Sequence, residues 1–444
     1  MKQAPLWLIA AAPIAAQPAL TIQEAIGTAL DRHPAIESAA SRTHAAGARV
    51  EQAHSGYLPR VSYAESWTRS DNPVFVFGAL LTQRQFTASN FQLDQLNRPD
   101  FLNNFQSQVT LDQTVFDWGA TRSQVRSAEA GRRLSQEQER AVRMNVIARA
   151  VRNYYGAALA RASLEVAREA LRSAEADAAR AESIRKAGMS TDADVLSIRV
   201  HLASVREQEI RRSFDLETAM AALNESLGLP LDSPHSLTTP LTPPNLTGAA
   251  VADYWLDAAR SRPEVQQSAA AVTMAAEQTT AARSALLPQF TIRAAFEADR
   301  QNFFTKGGAN WAVTAGMRWN LFDGSANRAR VAEAKSSMAA ARAQRREVTE
   351  AVRLEVFRAW ADVRAAAERL SVSAAAVDQA EESLRITKNR YQSGLTTVTD
   401  LLRNETALLE ARTRRLAAVH DQRIAAVALE LAAGTLSADS KIFQ

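Results

Sequence analysis

Cysteine is absent from the 444 residues, which excludes a disulfide framework, a thiolate metal site and a lipid-acceptor thiol near the N-terminus. Glycine (16) and proline (14) are scarce for this length, so long stretches run without a breaker. That profile favours long helices over a compact α/β enzyme. A run of about 18 apolar residues is also missing, and with it any ordinary membrane-spanning helix. The formal net charge of +4 is small, acids and bases interleave, and no basic run carries interleaved aromatics. Solvated helix faces account for such charges, and no nucleic-acid partner is expected. The six histidines (His33, His44, His54, His201, His235 and His420) are scattered, with no His-x-x-x-His pair. Neither a glycine-rich phosphate loop nor a serine elbow occurs, so no enzyme activity, catalytic residue, metal or cofactor is expected.

The N-terminus looks exported. Met1-Lys2 is a minimal basic start, Leu6 to Ala12 is a short apolar stretch, and Ile14-Ala15-Ala16 offers small residues for cleavage, giving a signal peptide over residues 1–16. A chain of this kind can enter a membrane only with strands.

An internal repeat organises the rest. Leu30-Asp31-Arg32-His33-Pro34-Ala35-Ile36 is echoed by Ala259-Arg260-Ser261-Arg262-Pro263-Glu264-Val265, and Tyr57-Leu58-Pro59 by Leu286-Leu287-Pro288. Both proline pairs are offset by 229 positions. Val115-Phe116-Asp117-Trp118-Gly119 then matches Leu321-Phe322-Asp323-Gly324. Arg185 to Met189, with Asp194 beyond, matches Arg390 to Leu395, with Asp400 beyond. Leu227-Gly228 matches Ala433-Gly434, and these later pairs are offset by 206. The drop of 23 places extra residues in the first half, between Pro59 and Phe116. The chain is a tandem duplication.

Each half reads helix, strand, strand, helix. Residues 120–187 and 325–390 hold no proline and would reach roughly 100 Å as helices. Val125, Ala128, Ile147, Val151, Tyr154, Ala158 and Leu171 recur at three- and four-residue steps, as in a coiled-coil-like helix. Shorter helices follow at 190–226 and 396–432. Strands are expected at about 60–69, 105–116, 289–299 and 310–321, each alternating apolar and polar residues. In the last of them Trp311, Val313, Ala315, Met317, Trp319 and Leu321 oppose Ala312, Thr314, Gly316, Arg318 and Asn320. Four strands cannot close a barrel alone, so copies of the chain would have to complete it. Residues 17–229 form the first repeat, 230–249 a linker, 250–434 the second repeat and 435–444 a tail. On a barrel reading the stretch 70–104 is an extracellular loop; it could fold over the outer mouth, with Phe75, Phe77 and Phe86 packing on themselves, but an ordinary packed surface loop is the expectation.

The two proline helix starts (Pro34, Pro263), the strand starts after Pro59 and Pro288, the Phe-Asp exits and the two glycine turns occur in duplicated order. In this the chain resembles the TolC-like outer-membrane efflux family over essentially its whole mature length. The resemblance implies a mainly α fold with a membrane β-barrel. Its homotrimer would form a 12-strand β-barrel in outer-membrane lipid and a 12-helix α-barrel across the periplasm. It also implies passive conduction, with a periplasmic adaptor and an inner-membrane pump as partners. The adaptor would meet the turns at Gly188, Met189, Gly394 and Leu395. Asp194 and Asp400 would fall at the periplasmic constriction, with Tyr391 as a hydrogen-bonding partner. Where the family pattern has a second acid one turn later this chain has Arg403, and where it has an arginine after the turn it has Thr396. Asp400 and Arg403 are therefore expected to pair or oppose each other near the constriction, giving a less acidic gate. The alternative class is a periplasmic adaptor or soluble coiled-coil scaffold, which would lack the duplicated helix–strand–strand–helix unit.

Overall fold

A computed structural model describes residues 18–188, 191–244, 252–305 and 307–443. The segment expected to be a signal peptide and Met189 lie outside them. The chain divides into two units, one of residues 42–136 and 267–346, the other of the remainder. In chain order the regular elements are β1 (Ala19–Leu20), α1 (Ile22–Arg32), α2 (Pro34–His54), β2 (Arg60–Ser70), α3 (Pro73–Thr82), α4 (Leu93–Asn97), β3 (Leu102–Phe116), α5 (Ala120–Lys186) and α6 (Asp192–Ser226). There follow β4 (Ser236–Leu237), α7 (Ala252–Ala258), α8 (Pro263–Ser284), β5 (Gln289–Arg300), β6 (Gly308–Arg318), α9 (Ala326–Gln392) and α10 (Val398–Ala433).

The repeated sequence motifs are helix punctuation. In the first Phe-Asp exit, Asp117 accepts from the Gly119 amide at 3.1 Å and the Thr121 amide at 2.7 Å, capping α5. Asp323 takes the amide of Asn327 at 2.9 Å and caps α9 in the same way. Both corners put two successive residues at positive φ, Trp118–Gly119 and Gly324–Ser325. α5 and α9 are each 67 residues long, which the absence of proline permits. Thr191 and Thr397 cap the helices after the turns, so these begin at Asp192 and Val398 rather than at 190 and 396.

The sheet unit holds four strands in the order β2-β3-β5-β6, all antiparallel. β6 ends at Arg318, three residues short of the expected limit, because Arg318 pairs with Gln289 and the residue before that is Pro288, which has no amide to donate. β3 starts earlier than expected, at Leu102, where Ser70 still offers a partner. The 70–104 stretch, expected as a packed loop, contains α3 and α4.

In the other unit the expected linker contributes β4, which pairs parallel with β1. Tyr154, fully buried, locks that pair by donating to Leu20 O at 2.8 Å and accepting from the Thr239 amide at 3.0 Å. Around it Ile22, Ile26, Val151, Tyr155, Leu223 and Leu227 make the main core. Two glycines there have no room for a Cβ. Gly228, at φ +70°, would set one 2.8 Å from Arg32 O, and Gly434, at φ +75°, one 2.9 Å from Arg262 Cα. Each helix end thus seats against the residues just before the proline that opens a helix of its own repeat.

Candidate functional site

Strand alternation sorts the sheet into two faces. One carries Val61, Tyr63, Trp67, Val109, Ile292, Phe296, Trp311, Val313 and Met317, all exposed. Aromatic clusters mark both ends of that face. Trp67, Phe105 and Phe303 group at the end carrying the loops, with ring centroids 6.4 and 5.9 Å apart. Phe116, Trp118 and Phe290 group at the helix end, at 4.9 and 6.5 Å. The charged pair on the same face is internally satisfied: Glu65 accepts from Arg300 at 3.0 Å and from the Tyr63 hydroxyl at 2.6 Å. The opposite face carries Ser62, Ser66, Asn104, Gln106, Thr110, Asp112, Arg293, Glu297 and Thr314. Among the described residues β2 and β6 have no outer neighbour, so both edges offer free ladders. An apolar belt between aromatic girdles, a polar reverse and two open edges is a piece of a membrane barrel wall. No described helix is long and apolar enough to cross a membrane.

The two helix turns hold the residues singled out from sequence. Gly188 (φ +76°) and Gly394 (φ +72°) take the left-handed conformation that reverses the chain, and Leu395 is exposed beside the second. Asp194 is the third residue of α6 and accepts from the Thr191 hydroxyl at 2.8 Å and amide at 3.2 Å. Asp400 stands at the same place in α10, accepting from the hydroxyls of Thr396 at 2.9 Å and Thr397 at 2.8 Å. These hydroxyls, Thr397 foremost, hold its carboxyl below the usual range, with a smaller contribution from Arg403. Arg403 Nη1 lies 3.7 Å from Asp400 Oδ1. Both side chains are exposed, so the contact is a weak one. Tyr391 packs with Ala181, Val195, Ile198 and Val398. Burial pushes its hydroxyl up, and the fields of Asp194 and Asp177 add to the effect. The expected aspartates are therefore first of all partners of the capping threonines, which fixes their positions in the first turn of each helix.

A second cluster escaped the sequence reading. Asp177 on α5, His201 on α6, Lys388 on α9 and Glu405 on α10 supply one ionisable side chain from each long helix of this unit. Lys388 Nζ is 3.3 Å from Asp177 Oδ2, and His201 Nε2 is 3.4 Å from Glu405 Oε2. Arg180 reaches the other Asp177 oxygen at 3.4 Å. The carboxyls of Asp177 and Glu405 also act on each other. Burial raises the Asp177 carboxyl, helped by Glu405, while Glu405 is held low because His201 and Asp177 outweigh its own burial. The available signal was a polar residue on an apolar stripe: Asp177 stands between Ala174 and Ala181, and His201 between Ile198 and Val205. No group of three or more His, Asp or Glu side chains among the described residues could hold a metal ion.

Known proteins share this architecture. A family described as "Outer membrane efflux protein" matches residues 25–229 and 256–435, covering both repeats. Protein CyaE of Bordetella pertussis is 29% identical over 421 residues, 94% of this chain and 84% of the relative. The alkaline protease secretion protein AprF of Pseudomonas aeruginosa is 24% identical over 430 residues, covering 94% and 85%. Among solved structures, the Campylobacter jejuni CmeC outer membrane channel superposes with a TM-score of 0.80 at 17% identity, covering 99% of this chain and 95% of that one.

Proposed function

Since the chain belongs to the outer membrane efflux protein family, we propose that three copies join β2 of one to β6 of the next and close a twelve-stranded duct. The family consists of outer-membrane channels rather than enzymes, and the chain is an outer-membrane exit duct that extends into the periplasm. The alternative of an adaptor or soluble scaffold falls with that membership, because the match spans both helix–strand–strand–helix repeats.

One observation carries closure by copies of the chain, a four-stranded sheet with an apolar, aromatic-girdled face and two open edges, while the number three is what the family resemblance implies. Each unpaired backbone group in lipid costs several kcal/mol, roughly, so the edges need partners. The duct is passive. Cargo arrives from an inner-membrane pump through a periplasmic adaptor, which docks on the turns at Gly188, Met189, Gly394 and Leu395. Asp194, Asp400, Arg403 and Tyr391 line or brace the periplasmic constriction. AprF is named for secretion of a protease, which fits polypeptides as one class of cargo. Purification of the mature chain from outer membranes, followed by mass determination in detergent and planar-bilayer recording, tests the reading. A heat-modifiable trimer that conducts is expected; a monomer soluble without detergent overturns it.

A further inference from the structure

The excursion between β2 and β3 has a definite side. α3 packs on the polar face of the sheet, touching β3, β5 and β6. Three observations fix this placement. Val76 and Ala79 of α3 bury Leu102, which shares a face with Asn104 and Gln106 by strand alternation. Gln83, just past α3, donates to Asn104 Oδ1 at 2.8 Å and Asn103 O at 3.0 Å, and Asn104 Nδ2 donates to Asp299 Oδ1 at 2.7 Å. The carbonyl of Thr82 rests on Gly308, where any Cβ would collide with it, and Gly308 is the direct cross-strand partner of Asp299. Gln83 and Asp299 are 2% and 1% exposed, so this contact is packed as tightly as a core. The segment has its own small core as well, with Phe77, Phe86 and Phe91 stacked edge to face at 4.8 and 5.0 Å.

Resting on the barrel reading, in which the polar face lines the lumen, we infer that residues 71–101 are a lid that closes the outer mouth from inside. Twelve strands about 4.8 Å apart and tilted about 40° make a wall about 24 Å across, leaving a radius of about 12 Å. A helix with its side chains is about 10–12 Å thick. Three copies of α3, each lying across the inner wall, leave no through-path. The lid hinges at its two connections to the strands, Asp71–Asn72 and Pro99–Asp100, and is pinned by Gln83, Asn104 and Asp299. The second repeat has only seven residues, 301–307, between β5 and β6, fewer than α3 alone contains.

The natural absence of cysteine makes the test clean. Thr314→Cys places a thiol on the polar face below the lid, and intact cells are treated with a membrane-impermeant polyethylene-glycol maleimide. Labelling from outside reads the outer mouth whatever the state of the periplasmic end. A closed lid leaves the open form at about 10% or less, so replacing residues 73–98 with a short turn raises the labelling rate about tenfold. Equal rates in two variants that both run as trimers overturn the lid. Should the shortened chain fail to assemble, Ala79→Cys with Leu102→Cys on the Thr314→Cys background tethers α3 to the wall. Labelling at position 314 itself, read on the isolated peptide, is expected to be suppressed by the oxidised tether and restored after reduction and removal of the reductant; unchanged labelling there overturns the lid. Absence of any trimer in the unaltered chain would instead sink the duct itself.

Discussion

Replacing Lys388 with methionine removes the cation facing Asp177 while keeping an aliphatic stem of similar length. The Asp177 side chain is 4% exposed and Lys388 31%, and their charged atoms sit 3.3 Å apart. Breaking a buried pair by deleting one member costs roughly 3–5 kcal/mol, because the other charge is stranded. Arg180 stays on the second carboxylate oxygen at 3.4 Å and Lys388 is partly solvated, so about 2 kcal/mol is the expected cost here. The sign of the pH dependence follows from Asp177. Its folded carboxyl titrates above the ordinary value, chiefly through burial and then through Glu405. Stability tied to that group is therefore complete below the unfolded value and is lost as pH rises through the folded one. Without Lys388 the folded value moves higher still, so the variant keeps pace with the parent in acid and falls behind as pH rises. Glu405 runs the other way, because His201 and Asp177 hold it low, and its contribution is lost as pH falls. Amide hydrogen exchange along α5 and α9, corrected for intrinsic rates, reads local opening directly. On the alkaline side of the folded Asp177 titration the variant should exchange roughly 30-fold faster than the parent, which is about 2 kcal/mol, and on its acid side the gap should close. Equal protection at both pH values, or a gap that widens in acid, refutes the reasoning.

Much of the fold was legible because its signals are local. Prolines, glycines and the Phe-Asp pairs recur in order, and in the structure they stand at helix starts, left-handed turns and helix caps. Strand alternation was equally plain, since Trp311, Val313 and Met317 sit on one exposed face. Strand ends were less so, because a strand stops where its partner runs out of amides, as β6 does opposite Pro288. The cap role of Asp194 and Asp400 was hidden behind their expected place at a constriction, although Thr-x-x-Asp is itself a cap signal. Asp177, His201, Lys388 and Glu405 lie far apart in sequence and meet only across four helices, so no spacing rule could join them. The side of the sheet on which α3 rests is likewise a tertiary fact, set by Gly308 and Asn104.

The remaining expectations concern caps, the constriction and the glycine seats. Asp117→Ala removes the acceptor for two amides at the start of α5 and should cost about 1–2 kcal/mol, read as a lower thermal midpoint; no shift would mean that the cap is redundant. Asp400→Asn should lower cation selectivity in planar bilayers, since its carboxylate stays ionised across the working pH range, and unchanged selectivity would remove it from the ion path. Gly434→Ala should destabilise more than substitution at an open glycine with the same φ. Gly394 also sits at positive φ, +72°, but nothing lies within 4 Å of a Cβ built there, so alanine costs only the left-handed strain of about 1–2 kcal/mol. At Gly434 the same strain applies, and the new Cβ would stand 2.9 Å from Arg262 Cα. Arg262 cannot retreat freely, because its guanidinium holds Glu355 at 2.6 Å, Glu264 at 2.8 Å and Ala432 O at 3.2 Å. Overpacking then adds about 1–3 kcal/mol to the strain. Parallel unfolding of Gly434→Ala and Gly394→Ala separates the two contributions, and equal losses would show that the helix end does not bear on the start of α8 as the geometry requires.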